Sequence, residues 1–132
     1  MGTTFRPGCE VWLASDSPVT EFSGIFEDDG TTGYLYAYDR SGHGSILDAV
    51  HIYNVASTTD GNQDSDIDFR WSADGLKVGL LINERLHALI DFESRAAYSR
   101  SNSPPPGRAW GGRSRQPWDE ALAHLLEPTG AS

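Results

Sequence analysis

The sequence predicts an α+β domain: a mainly antiparallel β-sheet of about six to eight strands, flat or curled, with one C-terminal helix packed on it. Asp-Gly steps at 29–30 and 74–75 each follow an apolar run. That is a hairpin signature, because glycine accepts positive φ at a tight turn. Residues 34–38 alternate strictly, with Tyr34, Tyr36 and Tyr38 on one side and Leu35 and Ala37 on the other. A period of two is the mark of a strand with two unlike faces. Helical spacing occurs only near the C-terminus, where Trp118, Ala121, Leu122, Leu125 and Leu126 share one face.

Taken in order, residues 1–9 read as an N-terminal arm and 10–13 as a first strand. Residues 22–39 read as a hairpin around the Asp29-Gly30 turn. The run 46–55 is apolar, β-branched and aromatic, as a buried central strand would be, although periodicity alone also admits a helix. Residues 57–66 form a polar loop, 67–71 a strand, and 76–82 with 86–92 a hairpin around Asn83-Glu84. Both arms of that hairpin carry apolar residues on both faces, which implies cover on both sides or a second sheet. Residues 96–99 read as a last strand. The stretch 101–116 is rich in Pro, Gly, Ser and Arg and contains Pro104-Pro105-Pro106, which cannot pair centrally in a sheet, so it reads as a connector. In the helix 117–127, Pro117 suits the first position and Asp119 and Glu120 suit the positive end of the dipole.

The chain of 132 residues is long enough for one self-sufficient core and reads as a single domain over 1–132. The formal net charge is -9, which opposes nucleic-acid binding, since phosphate contacts need clustered Lys and Arg. The single cysteine, Cys9, excludes an intramolecular disulfide and a cysteine-based zinc site. No signal-peptide run and no membrane-length apolar stretch is evident, so the expected location is cytoplasmic, without membrane contact. Oligomeric state is left open.

Charge is unevenly spread. Residues 7–69 hold twelve acids against the single base Arg40, whereas 70–115 hold eight bases and four acids. Such a run is most often a solvated face. Its sharper reading is a recognition surface for a basic partner, built from Glu27, Asp28, Asp29, Asp60, Asp64 and Asp66 with Tyr34 and Tyr36 beside them. Acids steer a basic protein and tyrosines supply rigid contact area.

Motifs for chemistry are weak by comparison. Asp60, Asn62, Asp64 and Asp66 begin like a calcium loop, but Ser65 stands where glycine is needed and Trp71 where the bidentate Glu belongs. His51 shares a strand face with Tyr53, and a pocket of Asp48, His51 and Tyr53 would suit a small ligand or an acid–base pair. However, Asp48 and His51 fall on opposite faces if the segment is a strand. No nucleophile elbow, phosphate loop or HExxH spacing is present. No catalytic residue, metal or cofactor is therefore assigned.

The phrases 26–37 (Phe-Glu-Asp-Asp-Gly-Thr-Thr-Gly-Tyr-Leu-Tyr-Ala), 46–55 (Ile-Leu-Asp-Ala-Val-His-Ile-Tyr-Asn-Val), 71–76 (Trp-Ser-Ala-Asp-Gly-Leu) and 81–83 (Leu-Ile-Asn) resemble those of the bacterial domain-of-unknown-function family 2251. The Pro104-Pro105-Pro106 run before the last helix does so too. The resemblance covers roughly residues 7–126, while the stretch 113–115 is less typical. It implies a bacterial source and a small stand-alone domain, and it brings no catalytic residues. The expected function is a non-catalytic protein-binding domain, in its most concrete form an immunity-type antitoxin neutralising a basic toxin through an acidic surface. The alternatives are a small-ligand binder or enzyme around Asp48 and His51, and a structural or regulatory oligomeric subunit.

Overall fold

Alternation in 32–39 becomes a strand whose inner residues Leu35 and Ala37 have no solvent exposure and whose tyrosines stand on the opposite face. The same rule repeats along the chain. In the computed structural model, residues 3–55 and 64–100 and the backbone of 115–116 are described. They form ten strands: β1 Thr3–Phe5, β2 Val11–Asp16, β3 Phe22–Asp28, β4 Thr32–Asp39, β5 Ser45–Asn54, β6 Ser65–Trp71, β7 Lys77–Ile82, β8 Arg85–Asp91, β9 Ala96–Ser99 and β10 Arg115–Gln116.

These strands make two sheets rather than one. The four-stranded sheet is the meander β2-β3-β4-β5, and the six-stranded sheet has the order β1-β6-β7-β8-β9-β10. All pairings are antiparallel except that of β9 with β10. The sheets pack face to face around one core. Phe26, Leu35, Ala37, Val50 and Ile52 come from the smaller sheet, and Phe5, Ile67, Val78, Leu80, Ala88, Ile90 and Ala97 from the larger. Phe22 stacks on Phe92 across the interface with ring centroids 4.4 Å apart. At Gly24 the sheets approach so closely that a Cβ would lie 3.3 Å from Val78.

A second, smaller cluster explains why the β7–β8 hairpin is apolar on both faces. Leu81, Leu86 and Leu89, with Tyr98 against them, lie apart from the inter-sheet core. The register puts Leu89 opposite both Gly79 and Tyr98, and Leu81 opposite Leu86. Along one flank of the sandwich, the Ser99 hydroxyl of β9 donates to the His51 carbonyl of β5. Along the other, the Trp71 indole N–H donates to Ser15 Oγ at 3.0 Å.

Two expectations change. The arm at 1–9 contains a strand, because Thr3–Phe5 pairs with Ser65–Ile67 and sends Phe5 into the core. The single sheet is replaced by two, since one sheet cannot bury both the Leu35 face and the Val78 face without a partner. The helix expected over 117–127 lies outside the described residues, as do 56–63 and all of the connector except the strand at 115–116. Among the described residues no helix is long and apolar enough to cross a membrane.

The turns follow their local chemistry. Gly75 has φ 71°, and its carbonyl accepts from the Ser17 hydroxyl at 3.0 Å and the Thr20 hydroxyl at 3.1 Å, tying the β6–β7 turn to the β2–β3 loop. Asn83 and Glu84 close the β7–β8 hairpin with φ of 50° and 68°. Gly75→Ala places a methyl group against Ser17 Oγ in a left-handed backbone. It is expected to lower stability by about 1–3 kcal/mol. Glu84→Gly relieves a left-handed side-chain penalty and is expected to raise stability by about 1 kcal/mol. Chemical denaturation of the two variants checks both signs.

Candidate functional site

The outer face of the four-stranded sheet brings together Trp12, Glu27, Tyr34, Tyr36 and His51. None of its four strands contains a Lys or Arg, although they contain Asp16, Glu27, Asp28, Asp39 and Asp48. Strand register lines up Trp12, Glu27, Tyr34 and His51 as one row across β2, β3, β4 and β5, with Tyr36 on the next row. Trp12 is 56% exposed, which is unusual for so large an apolar side chain.

The rings form a continuous surface. Trp12 and Tyr36 have centroids 6.1 Å apart and planes tilted by 31°, and Tyr34 stacks beside Tyr36 at 6.1 Å and 30°. His51 closes the row edge-on to Tyr34 at 6.2 Å, and its Nε2 is 3.0 Å from Asn54 Oδ1. Glu27 stands among these rings, and the Tyr36 hydroxyl donates to its Oε1 at 2.7 Å. Burial first, and the bond to Glu27 second, push the Tyr36 phenol well above its usual range. The phenol therefore stays a donor and holds the Glu27 carboxylate in place. A shallow cleft of about 310 Å³ adjoins the row, lined by Glu10, Val11, Trp12, Glu27, Asp28 and Asp29.

Three consecutive acids at the hairpin tip have three different fates. Glu27 faces outward among the aromatics. Asp29 is exposed and accepts from Thr31 N, Thr31 Oγ1 and Thr32 N at 2.9–3.0 Å. Those bonds, led by the backbone of Thr31, hold its carboxyl below the usual carboxylate range. Asp28 is only 1% exposed. Its Oδ2 accepts from Gly8 N at 2.8 Å and from the Tyr53 hydroxyl at 2.5 Å, and its Oδ1 accepts from Gly30 N at 2.8 Å. Asp28 is thus a correction to the partner-binding set, because alternation in β3 turns it inward and its oxygens are engaged internally.

The remaining expected residues separate. Asp64 pairs with Arg6 at 3.0 Å, and Asp66 lies exposed on β6, so both belong to the six-stranded sheet rather than to the aromatic face. Asp60 lies outside the described residues. The proposed pocket of Asp48, His51 and Tyr53 does not assemble. Asp48 is fully buried, His51 faces out, and Tyr53 packs on the core against Phe5 and Phe26. A register shift opposite Gly33 and Tyr34 leaves Ile52 as an extra residue, so His51 and Tyr53 do not share a face as simple alternation required. Among the described residues no three His, Cys, Asp or Glu side chains are grouped as a metal site.

Glu10 is a site residue that sequence reasoning overlooked, and Trp12, read from the sequence as a core or packing residue, is instead exposed. Trp12 is flanked by Val11 and Leu13, and only the partner strand's register shows which of the three points outward.

The tyrosines give two testable consequences. Burial first, then the bond to Asp28, also pushes the Tyr53 phenol above its usual range. A phenol raised above its unfolded value of 10.0 contributes stability that is present below pH 10 and lost as pH rises past it. Stability should therefore fall steeply in the alkaline range, and absorbance titration should show two phenols that ionise only on unfolding. Tyr53→Phe leaves the buried Asp28 short of a donor and is expected to cost about 1–2 kcal/mol near neutral pH, measured by urea unfolding.

Comparison with known proteins finds bacterial relatives. A curated protein of Haemophilus influenzae, named only as an uncharacterised protein, is 40% identical over 101 residues, covering 75% of this chain. The chain spans 63% of that relative's length. No solved structure matches. A family model described as an uncharacterised protein conserved in bacteria matches residues 5–127, and the chain belongs to that family, domain-of-unknown-function family 2251.

Proposed function

We propose that this is a non-catalytic binding domain that receives a basic protein partner on the outer face of its four-stranded sheet. The carrying observation is the exposed Trp12 beside Tyr34, Tyr36 and the positioned Glu27, on a sheet whose strands contain no Lys or Arg. Aromatic anchors concentrate binding energy in protein interfaces. The surrounding Glu10, Asp29 and net charge of -9 would raise the on-rate of a cationic partner. The concrete form of this reading is a cytoplasmic immunity-type antitoxin that covers a basic toxin such as a nuclease.

Co-expression with the product of the neighbouring gene tests that form. The expected result is a one-to-one complex on size-exclusion chromatography that weakens as salt rises. Trp12→Ala should weaken it by about 2 kcal/mol, a typical hot-spot loss. A partnerless monomer, or a complex indifferent to both salt and Trp12, counts against the reading.

The same proposal includes the C-terminal helix over 117–127, docked on the second apolar cluster. Two observations support it. Leu89 has no exposure although the register places it away from the inter-sheet core, and β10 brings the chain to Gln116 directly opposite Tyr98. Its apolar stripe of Trp118, Leu122 and Leu125 matches that cluster in character. Leu122→Asp is expected to destabilise the fold by about 2–4 kcal/mol and to increase binding of an apolar dye. A variant as stable as the parent would remove the helix from the proposal.

A further inference from the structure

We infer that the ligand group taken by this face is the guanidinium of a partner's arginine, laid flat on Trp12 and bonded to the outward oxygen of Glu27. The inference rests on the basic-partner reading above and names the chemistry of that contact. Cross-strand register sets Trp12 directly opposite Glu27, so a cation over the indole lies beside the carboxylate. Glu27 Oε1 is held by the Tyr36 hydroxyl at 2.7 Å. Among the described residues no hydrogen bond to Oε2 is present, so this oxygen is left to accept from a ligand. With no Lys or Arg on the four strands, no cation from within the sheet competes for it.

The pairing of one exposed ring with one carboxylate selects among cations. Trp12 is tilted by 31° from Tyr36, and Tyr36 by 30° from Tyr34; among the described ring pairs of this row only Tyr34 with His51 meets edge-on. A planar guanidinium stacks on an exposed indole while its N–H groups reach sideways in its own plane toward an acceptor. A lysine ammonium is compact and strongly hydrated and gains less from a single exposed ring. Asp29 and Glu10 at the rim of the adjoining cleft add attraction without selecting between the two.

The test compares tetra-arginine with tetra-lysine by calorimetric titration of the full chain at low and moderate salt. Tetra-arginine is expected to bind about 2- to 5-fold more tightly, the size of one exposed cation–aromatic contact. Trp12→Ala should abolish that preference, Trp12→Phe should keep part of it, and Glu27→Gln should weaken both peptides. Because Trp12 and Glu27 lie on the open face, circular dichroism should show all three variants folded. The indole N–H resonance lost in Trp12→Ala should be the one that shifts on adding tetra-arginine to the parent. Equal binding of the two peptides overturns the arginine assignment while leaving the basic-partner reading in place. Failure of both peptides to bind, or binding unmoved by Trp12→Ala and Glu27→Gln, overturns both.

Discussion

The carboxylate of Asp28 is the interaction around which the rest of this molecule is arranged. A polar group so deeply buried is tolerated only when its oxygens are satisfied, and here the donors come from three separate parts of the chain: Gly8, Gly30 and Tyr53. These bonds join the segment after β1, the β3–β4 turn and the end of β5 at one corner of the sandwich. Holding Asp28 inward also sets the parity of β3. Its neighbour Glu27 is thereby turned to the outer face, where Tyr36 takes hold of it. The interior anchor and the exterior acceptor are adjacent residues of one strand, and neither orientation can change without the other.

The two halves of the chain, unlike in charge, become two unlike sheets. Residues 11–54 supply the four-stranded sheet, free of Lys and Arg along its strands, while Arg70, Lys77 and Arg85 lie on strands of the other. The smaller sheet therefore presents aromatic rings and a fixed carboxylate on its outer side and hydrocarbon on its inner side. Ring surface and a hydrogen-bonded carboxylate thus share the outer face.

Much of the scaffold was legible in the sequence because strands announce themselves by alternation and hairpins by their turns. The β3–β4 hairpin is where 22–39 indicated, and the apolar run 46–55 is realised as a strand over Ser45–Asn54. Alternation, however, assigns residues to faces without saying which face meets the core. Asp28 and Asp29 look alike in sequence, yet one is interior and the other exposed. Trp12, flanked by Val11 and Leu13, reads as a packing residue, yet its ring is exposed. A shifted register, such as the one that separates His51 from Tyr53, leaves no mark in the sequence at all. The strand at Thr3–Phe5 is too short to show a period, and its existence depends on an edge of β6 sixty residues away.

That distant pairing bears on how the chain assembles. Nearly every other strand pair joins neighbours in sequence, so each meander forms from local contacts, and local contacts form quickly. Thr3↔Ile67 is the exception, bringing the start of the chain onto a strand of the opposite half. Its loop-closure entropy is recovered only once both meanders exist. The N-terminal triplet is placed as a latch: by inserting Phe5 against Phe26 and Tyr53 it ties the larger sheet, to which it belongs, to the smaller one.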